Sequence, residues 1–194
     1  MMKKLISFAL LAMLAIPVMA GKPSKEWTFT LNDDGECIVE YSLPTSKEAT
    51  DALKATKAVI NRQPFEARTT TDEVPGQSIT YAIKKNTKTR YNPFAGAFNE
   101  AMMFTLKVQY IDGQILLRFS DLMLENRYEG YGKNIVNESF AGKIAAFEEA
   151  LEEVKTAKGK AKKEAQDTID DTNDSLNMCE EEMGKLIKAI QKTL

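Results

Sequence analysis

The sequence contains no histidine, and that absence excludes more chemistry than any motif here supplies. Without imidazole there is no Ser-His or Cys-His nucleophile pair, no His general base and no His-ligated metal. Catalysis would have to rest on carboxylates, Lys or Tyr. A carboxylate hydrolase needs two acidic groups about 5 to 10 Å apart, and no pattern nominates a pair. No cofactor is expected, and the reading is of a non-enzymatic protein.

Cysteine is nearly absent too, with Cys37 and Cys179 alone. Export would permit a disulfide between them. Both also fall on apolar faces, where a free thiol acts as a small hydrophobe. Long apolar runs are limited to one, Leu5 to Val18, preceded by Lys3 and Lys4 and followed by Val18-Met19-Ala20. That is the layout of an export signal cleaved after Ala20, and it is shorter than the ~20 apolar residues of a membrane span. The mature chain is therefore expected in the periplasm or outside the cell, with no integral membrane segment. Excess positive charge is missing as well. Taking Lys3 and Lys4 from the 26 basic residues leaves 24 against 28 acidic, a net charge of −4. Nucleic-acid binders draw much of their affinity from neutralising phosphates, so that class is excluded.

What is present is a β-hairpin at Phe104–Leu124. Apolar and polar residues alternate on both sides of Asp112-Gly113, a dipeptide suited to a type I′ turn. Closing there pairs Tyr110 with Ile115, Val108 with Leu117 and Leu106 with Phe119 on one face. Thr105, Lys107 and Gln109 oppose Ser120, Arg118 and Leu116 on the other. Such a one-sided sheet needs an apolar cover.

Upstream, Trp27, Phe29 and Leu31 alternate before Asn32-Asp33-Asp34-Gly35-Glu36, a three-residue loop with Gly35 left-handed. The implied hairpin pairs Trp27 with Tyr41, Phe29 with Val39 and Leu31 with Cys37. Thr45 and Glu48 have capping-box spacing, and a helix follows to about Arg62, stopped by Pro64. Two strands, Phe65–Asp72 and Gln77–Lys84, flank a type II turn at Pro75-Gly76. Residues 85–100 then read as a loop loaded with Tyr91, Phe94 and Phe98. Residues 125–132 read as an irregular edge carrying Tyr128 and Tyr131. These five aromatics either plug the core or rim a ligand groove.

From Ser139 the period becomes helical. Ile144, Phe147, Leu151 and Val154 form one stripe. Ile169, Thr172, Leu176, Cys179, Met183, Leu186 and Ile190 form a second, with a/d spacing. The two are out of phase, so a bend is expected around Gly159. The second stripe must lie on the domain, on the preceding helix or on another copy. Ile169, Leu176, Met183, Leu186 and Ile190 are thus candidates for a partner-helix face, with self or an envelope protein as partner. The division is signal 1–20, sheet domain 21–158 and C-terminal amphipathic helix 159–194.

The export signal, the strand ending SLPTSKEA before a helix, the FTLKVQYIDGQILLRFSDL hairpin and the Tyr-rich segment after it resemble one family. It is a Bacteroidota envelope domain of unknown function with a TATA-box-binding-protein-like fold, and the likeness covers roughly residues 25–155. The resemblance implies an α+β fold: a curved antiparallel sheet of about six strands with helices on one face, here with a C-terminal helical extension. It implies no activity and carries over no catalytic residue. Within that bacterial group, Asp167-Thr168-Ile169 and Asp174-Ser175-Leu176 resemble an O-glycan acceptor pattern, with Thr168 and Ser175 on one helix face.

Overall fold

The computed structural model describes residues 25–92, 96–130 and 132–194. The apolar leader and its Ala20 cleavage site lie outside the described residues. The chain forms β1 (Val39–Pro44), α1 (Ala49–Arg62), β2 (Ala67–Val74), β3 (Ser78–Asn92), β4 (Gly96–Ile111), β5 (Gln114–Gly130), β6 (Gly132–Ser139), α2 (Phe140–Thr156) and α3 (Gly159–Gln191). It is an α+β fold built on one six-stranded antiparallel sheet, ordered β1-β5-β4-β3-β2, with β6 also on β5.

The central hairpin has the expected register, with Tyr110 opposite Ile115, Val108 opposite Leu117 and Leu106 opposite Phe119. Asp112 and Gly113 have φ of 49° and 76°, as a type I′ turn demands. Leu106, Val108, Ile115, Leu117 and Phe119 are fully buried. A β-bulge keeps that pattern going. Phe104 stands against both Asp121 and Leu122, because pairing passes from Thr105–Ser120 to Met103–Met123. Asp121 takes up the extra residue at φ 53°, and the shift returns Leu122 and Leu124 to the buried face.

β1 and β2 lie at opposite edges, so α1 crosses the sheet between them, burying Ala52, Leu53, Thr56, Val59 and Ile60. It starts at Glu48 rather than Thr45, and no side chain caps it. Thr45 Oγ1 instead accepts from the Lys47 N–H and donates to the Leu194 carbonyl, tying the helix entry to the chain end. β2 is exposed throughout. Polar contacts fix it to α1, through Arg68 to the Ile60 carbonyl at 2.9 Å and Lys57 to Glu73 at 2.6 Å. The expected Pro75-Gly76 turn is present, with Gly76 at φ 71° and Gln77 N–H on the Val74 carbonyl.

Other expectations need correction. The N-terminal hairpin stops at one bridge, Leu31–Cys37, although Gly35 is left-handed at φ 77°. Trp27 and Phe29 leave the sheet because α2 supplies ring partners. Trp27 meets Phe147 edge-on at 5.4 Å and Phe29 meets Phe140 at 5.1 Å. The same strap is held to α3 by Thr28, whose N–H and hydroxyl both donate to Glu180.

The segment 85–100 is not a loop. β3 runs on to Asn92 and β4 starts at Gly96, extending the sheet well past the hairpin. Residues 125–130 likewise continue β5, and β6 supplies the sixth strand.

No bridge joins Cys37 and Cys179. Both are free and buried, and burial pushes the Cys37 thiol up to about 11 and the Cys179 thiol higher than usual.

α2 is capped by Ser139, whose Oγ accepts from Gly142 N–H at 3.0 Å. α2 ends at Thr156 and α3 begins at Gly159, at φ 59°, where the phase change asked for a bend. The α3 stripe is covered by this chain itself. Ile169, Leu176, Cys179, Met183, Leu186 and Ile190 are at most 4% exposed and belong to the same core as the sheet. That face is therefore closed to a partner helix.

Candidate functional site

Two regions carry chemistry beyond packing, and both follow from the extension of β3, β4 and β5. The first is the far end of the sheet. In register, Arg90 stands opposite Phe98, Phe98 opposite Tyr128, and Tyr128 opposite Asn134. The next row is Tyr91, Ala97, Glu129 and Lys133. Tyr91 and Phe98, read from the sequence as loop residues, and Tyr128, read as part of an irregular edge, thus sit on three adjacent strands at one end. Phe98 is half-buried. Phe94 and Tyr131 lie outside the described residues.

The second region is a polar seam between this end and α3. Glu100, two residues from Phe98 on the same face of β4, is 2% exposed. Its carboxylate accepts from Ser175 Oγ at 2.7 Å and from Thr87 Oγ1 at 3.2 Å. Thr87 reaches it because it is the extra residue of a β3 bulge between Asn86 and Lys88. Lys88 meets Asp174 at 3.3 Å, and Lys143 of α2 meets Asp171 at 2.7 Å and Glu138 at 3.5 Å. Burial works against the Lys143 charge, but the Asp171 hydrogen bond and nearby carboxylates outweigh it and hold its pKa above the ordinary value. Asn126 Oδ1 is buried here without a partner among the described residues.

The seam corrects the O-glycan reading at Ser175. Its hydroxyl is fully buried and committed to Glu100. Thr168 is exposed and donates to the Glu164 carbonyl at 3.0 Å. Residues seven apart share a face of a straight helix, yet here Ser175 is covered and Thr168 is not. Nothing in the sequence marked Glu100, which reads as the end of a loop until the β3 bulge brings the Thr87 hydroxyl to it and α3 brings that of Ser175.

On the open face, an ion network spans the sheet above Ala101. Lys84 contacts Glu125 at 2.6 Å and Glu66 at 3.4 Å, and Arg127 contacts Glu66 at 2.9 Å and Glu125 at 2.7 Å. Its two positive and two negative groups balance within the network.

Cavities among the described residues stand elsewhere. One of about 150 Å³ separates Thr28–Thr30 from β1 where the hairpin splits. Another of about 180 Å³ is floored by Met102, Phe104 and Leu186, with Lys85, Glu182 and Lys185 at its mouth. Glu182 bridges the two lysines at 3.3 and 2.6 Å. Phe98 lines neither cavity. Among the described residues no helix is long and apolar enough to cross a membrane, and no three His, Cys, Asp or Glu groups cluster as metal ligands.

No protein-family model matches the sequence, and no curated protein matches it. Among solved structures, the chain is similar to a TBP-like protein from Parabacteroides distasonis at 12% identity and a TM-score of 0.47, over 84% of this chain and 97% of that one. It is also similar to a DUF4468 family protein from Bacteroides ovatus at 13% identity and a TM-score of 0.36, over 76% and 86%. Both come from Bacteroidota.

Proposed function

We propose that the chain is an exported, non-catalytic binding module of the cell envelope, with the far end of its sheet as the recognition surface and a glycan as ligand. The observation that carries this reading is the cross-strand row Arg90, Phe98, Tyr128 and Asn134. Aromatic residues on a strand platform present flat apolar area to a sugar face, while amide and charged neighbours bond its hydroxyls. Nucleic acid also stacks on such platforms, but the acidic chain lacks the phosphate-neutralising charge.

The interior supports a non-catalytic role. Its most buried carboxylate, Glu100, is closed beneath α3 and held by two hydroxyls. The apolar leader supports export, and mass measurement of the purified native protein tests it by whether the chain begins at Gly21. For the ligand, a glycan array probed with the chain and with Phe98→Ala and Tyr128→Ala is the experiment. Retention of one glycan class, lost in both variants, supports the reading. Retention that survives both removes it.

A further inference from the structure

The sheet has two flanks, and they are defended unequally. β2 carries Arg68, Asp72 and Glu73 and a bulge between Thr70 and Asp72, devices that discourage edge-to-edge pairing. β6 shares the other flank of β5 with β1, has no bulge in its pairing and contains no proline. Its middle residues, Ile135 and Val136, are 57% and 51% exposed, the two most exposed large apolar side chains among the described residues. Being adjacent, they lie on opposite faces of the strand. An unbulged edge with β-branched residues on both faces is a template for another strand.

We propose that β6 pairs antiparallel with β6 of a second copy of this chain, about a two-fold axis through Val136. Hydrogen-bonding direction alternates along a strand, so a two-fold pair is in phase only when a residue stands opposite its own copy or a residue of equal parity. Centring on Val136 sets Asn134 opposite Glu138, Ile135 opposite Asn137 and Lys133 opposite Ser139. No like charges then oppose each other, and every charged residue faces a polar one. The basic start of each strand runs beside the acidic end of the other. Centring on Ile135 leaves Glu138 opposite Gly132, and a parallel pairing sets Lys133 beside Lys133. Val136 meets its copy on the face that carries the helices, and Ile135 meets its copy diagonally on the open face. The first turns of α2 beside this edge carry Ala141, Gly142 and Ala145, which leave room for the second copy's helix.

Sedimentation of the purified chain across a dilution series, with two variants, tests this. The chain sediments as a concentration-dependent dimer. Val136→Lys sets two lysines face to face and weakens the dimer at least about a hundredfold, with thermal unfolding confirming that the variant is folded. Val136→Cys forms a covalent dimer under mild oxidant, and the readout is clean because Cys37 and Cys179 are buried. A monomer at every concentration, which would leave the edge to an extended segment of another protein, overturns the proposal. So does a dimer that persists in Val136→Lys, or one whose Val136→Cys form does not cross-link.

Discussion

Ser175 Oγ donates a 2.7 Å hydrogen bond to Glu100 Oε2, joining the middle of α3 to β4 inside the core. Both residues are nearly inaccessible, so neither can turn to water for a substitute partner. Ser175→Ala leaves a buried carboxylate one donor short and should cost about 1–3 kcal/mol in denaturant unfolding. Ser175→Thr, which keeps the hydroxyl, should lose less if the added methyl is accommodated. A fully stable Ser175→Ala would mean that the seam is solvated.

Tyr81 presents the opposite situation. It is fully buried, and its hydroxyl has no partner among the described residues. Burial, with help from Glu73, raises its phenol from 10.0 to about 12. A raised folded-state pKa contributes stability that is complete below the unfolded value and lost as pH climbs through the folded one. Tyr81→Phe should therefore be as stable as the parent or more so at neutral pH, by up to about 1–3 kcal/mol. Its alkaline limb between about pH 10 and 12 should be shallower. A large loss of neutral stability would reveal a bond to the hydroxyl.

Glu125 contributes on the acid side. Burial would raise its pKa, but hydrogen bonds from Lys84 and Arg127 overcome this and hold it below the ordinary 4.5. A depressed carboxylate contributes stability above its unfolded pKa and loses it as pH falls through the folded value. Glu125→Gln should cost about 1.5–3 kcal/mol at pH 7 and flatten the acid limb below about pH 4.5. An unchanged limb would show that the network is fully screened.

The bulge at Asp121 sets which residues of β5 face inward. Asp121→Gly should be neutral or stabilising, because glycine tolerates φ 53°. Asp121→Val should lose about 1–3 kcal/mol from backbone strain alone, read as a lower unfolding midpoint. If valine is tolerated, the left-handed residue is not what rephases Leu122 and Leu124.

These tests follow the line between what local sequence could and could not reveal. The Phe104–Leu124 register was legible because strict alternation and an Asp-Gly turn agree. Gly35, Pro75-Gly76 and the Gly159 break were legible because backbone conformation selects the residue. The strap was not. Trp27 and Phe29 alternate as strand residues would, and periodicity cannot say that Phe147 and Phe140 cover them instead of a neighbouring strand. The extension of β3 and β4 was hidden because Asn92-Pro93 and Gly96 punctuate it, and its strands are sustained by pairing with β5 and β6. The α3 stripe announced that it needed a cover without saying that the cover was the chain's own sheet and α2.

The far end of the sheet as a sugar platform is tested most directly by titrating the glycan class retained on an array against the parent and a Phe98→Ala/Tyr128→Ala double variant in a calorimeter. The account predicts saturable binding by the parent and at least a tenfold loss in the double variant, about 1.4 kcal/mol or more, with circular dichroism showing that the double variant is folded. Equal affinity in both proteins would contradict it.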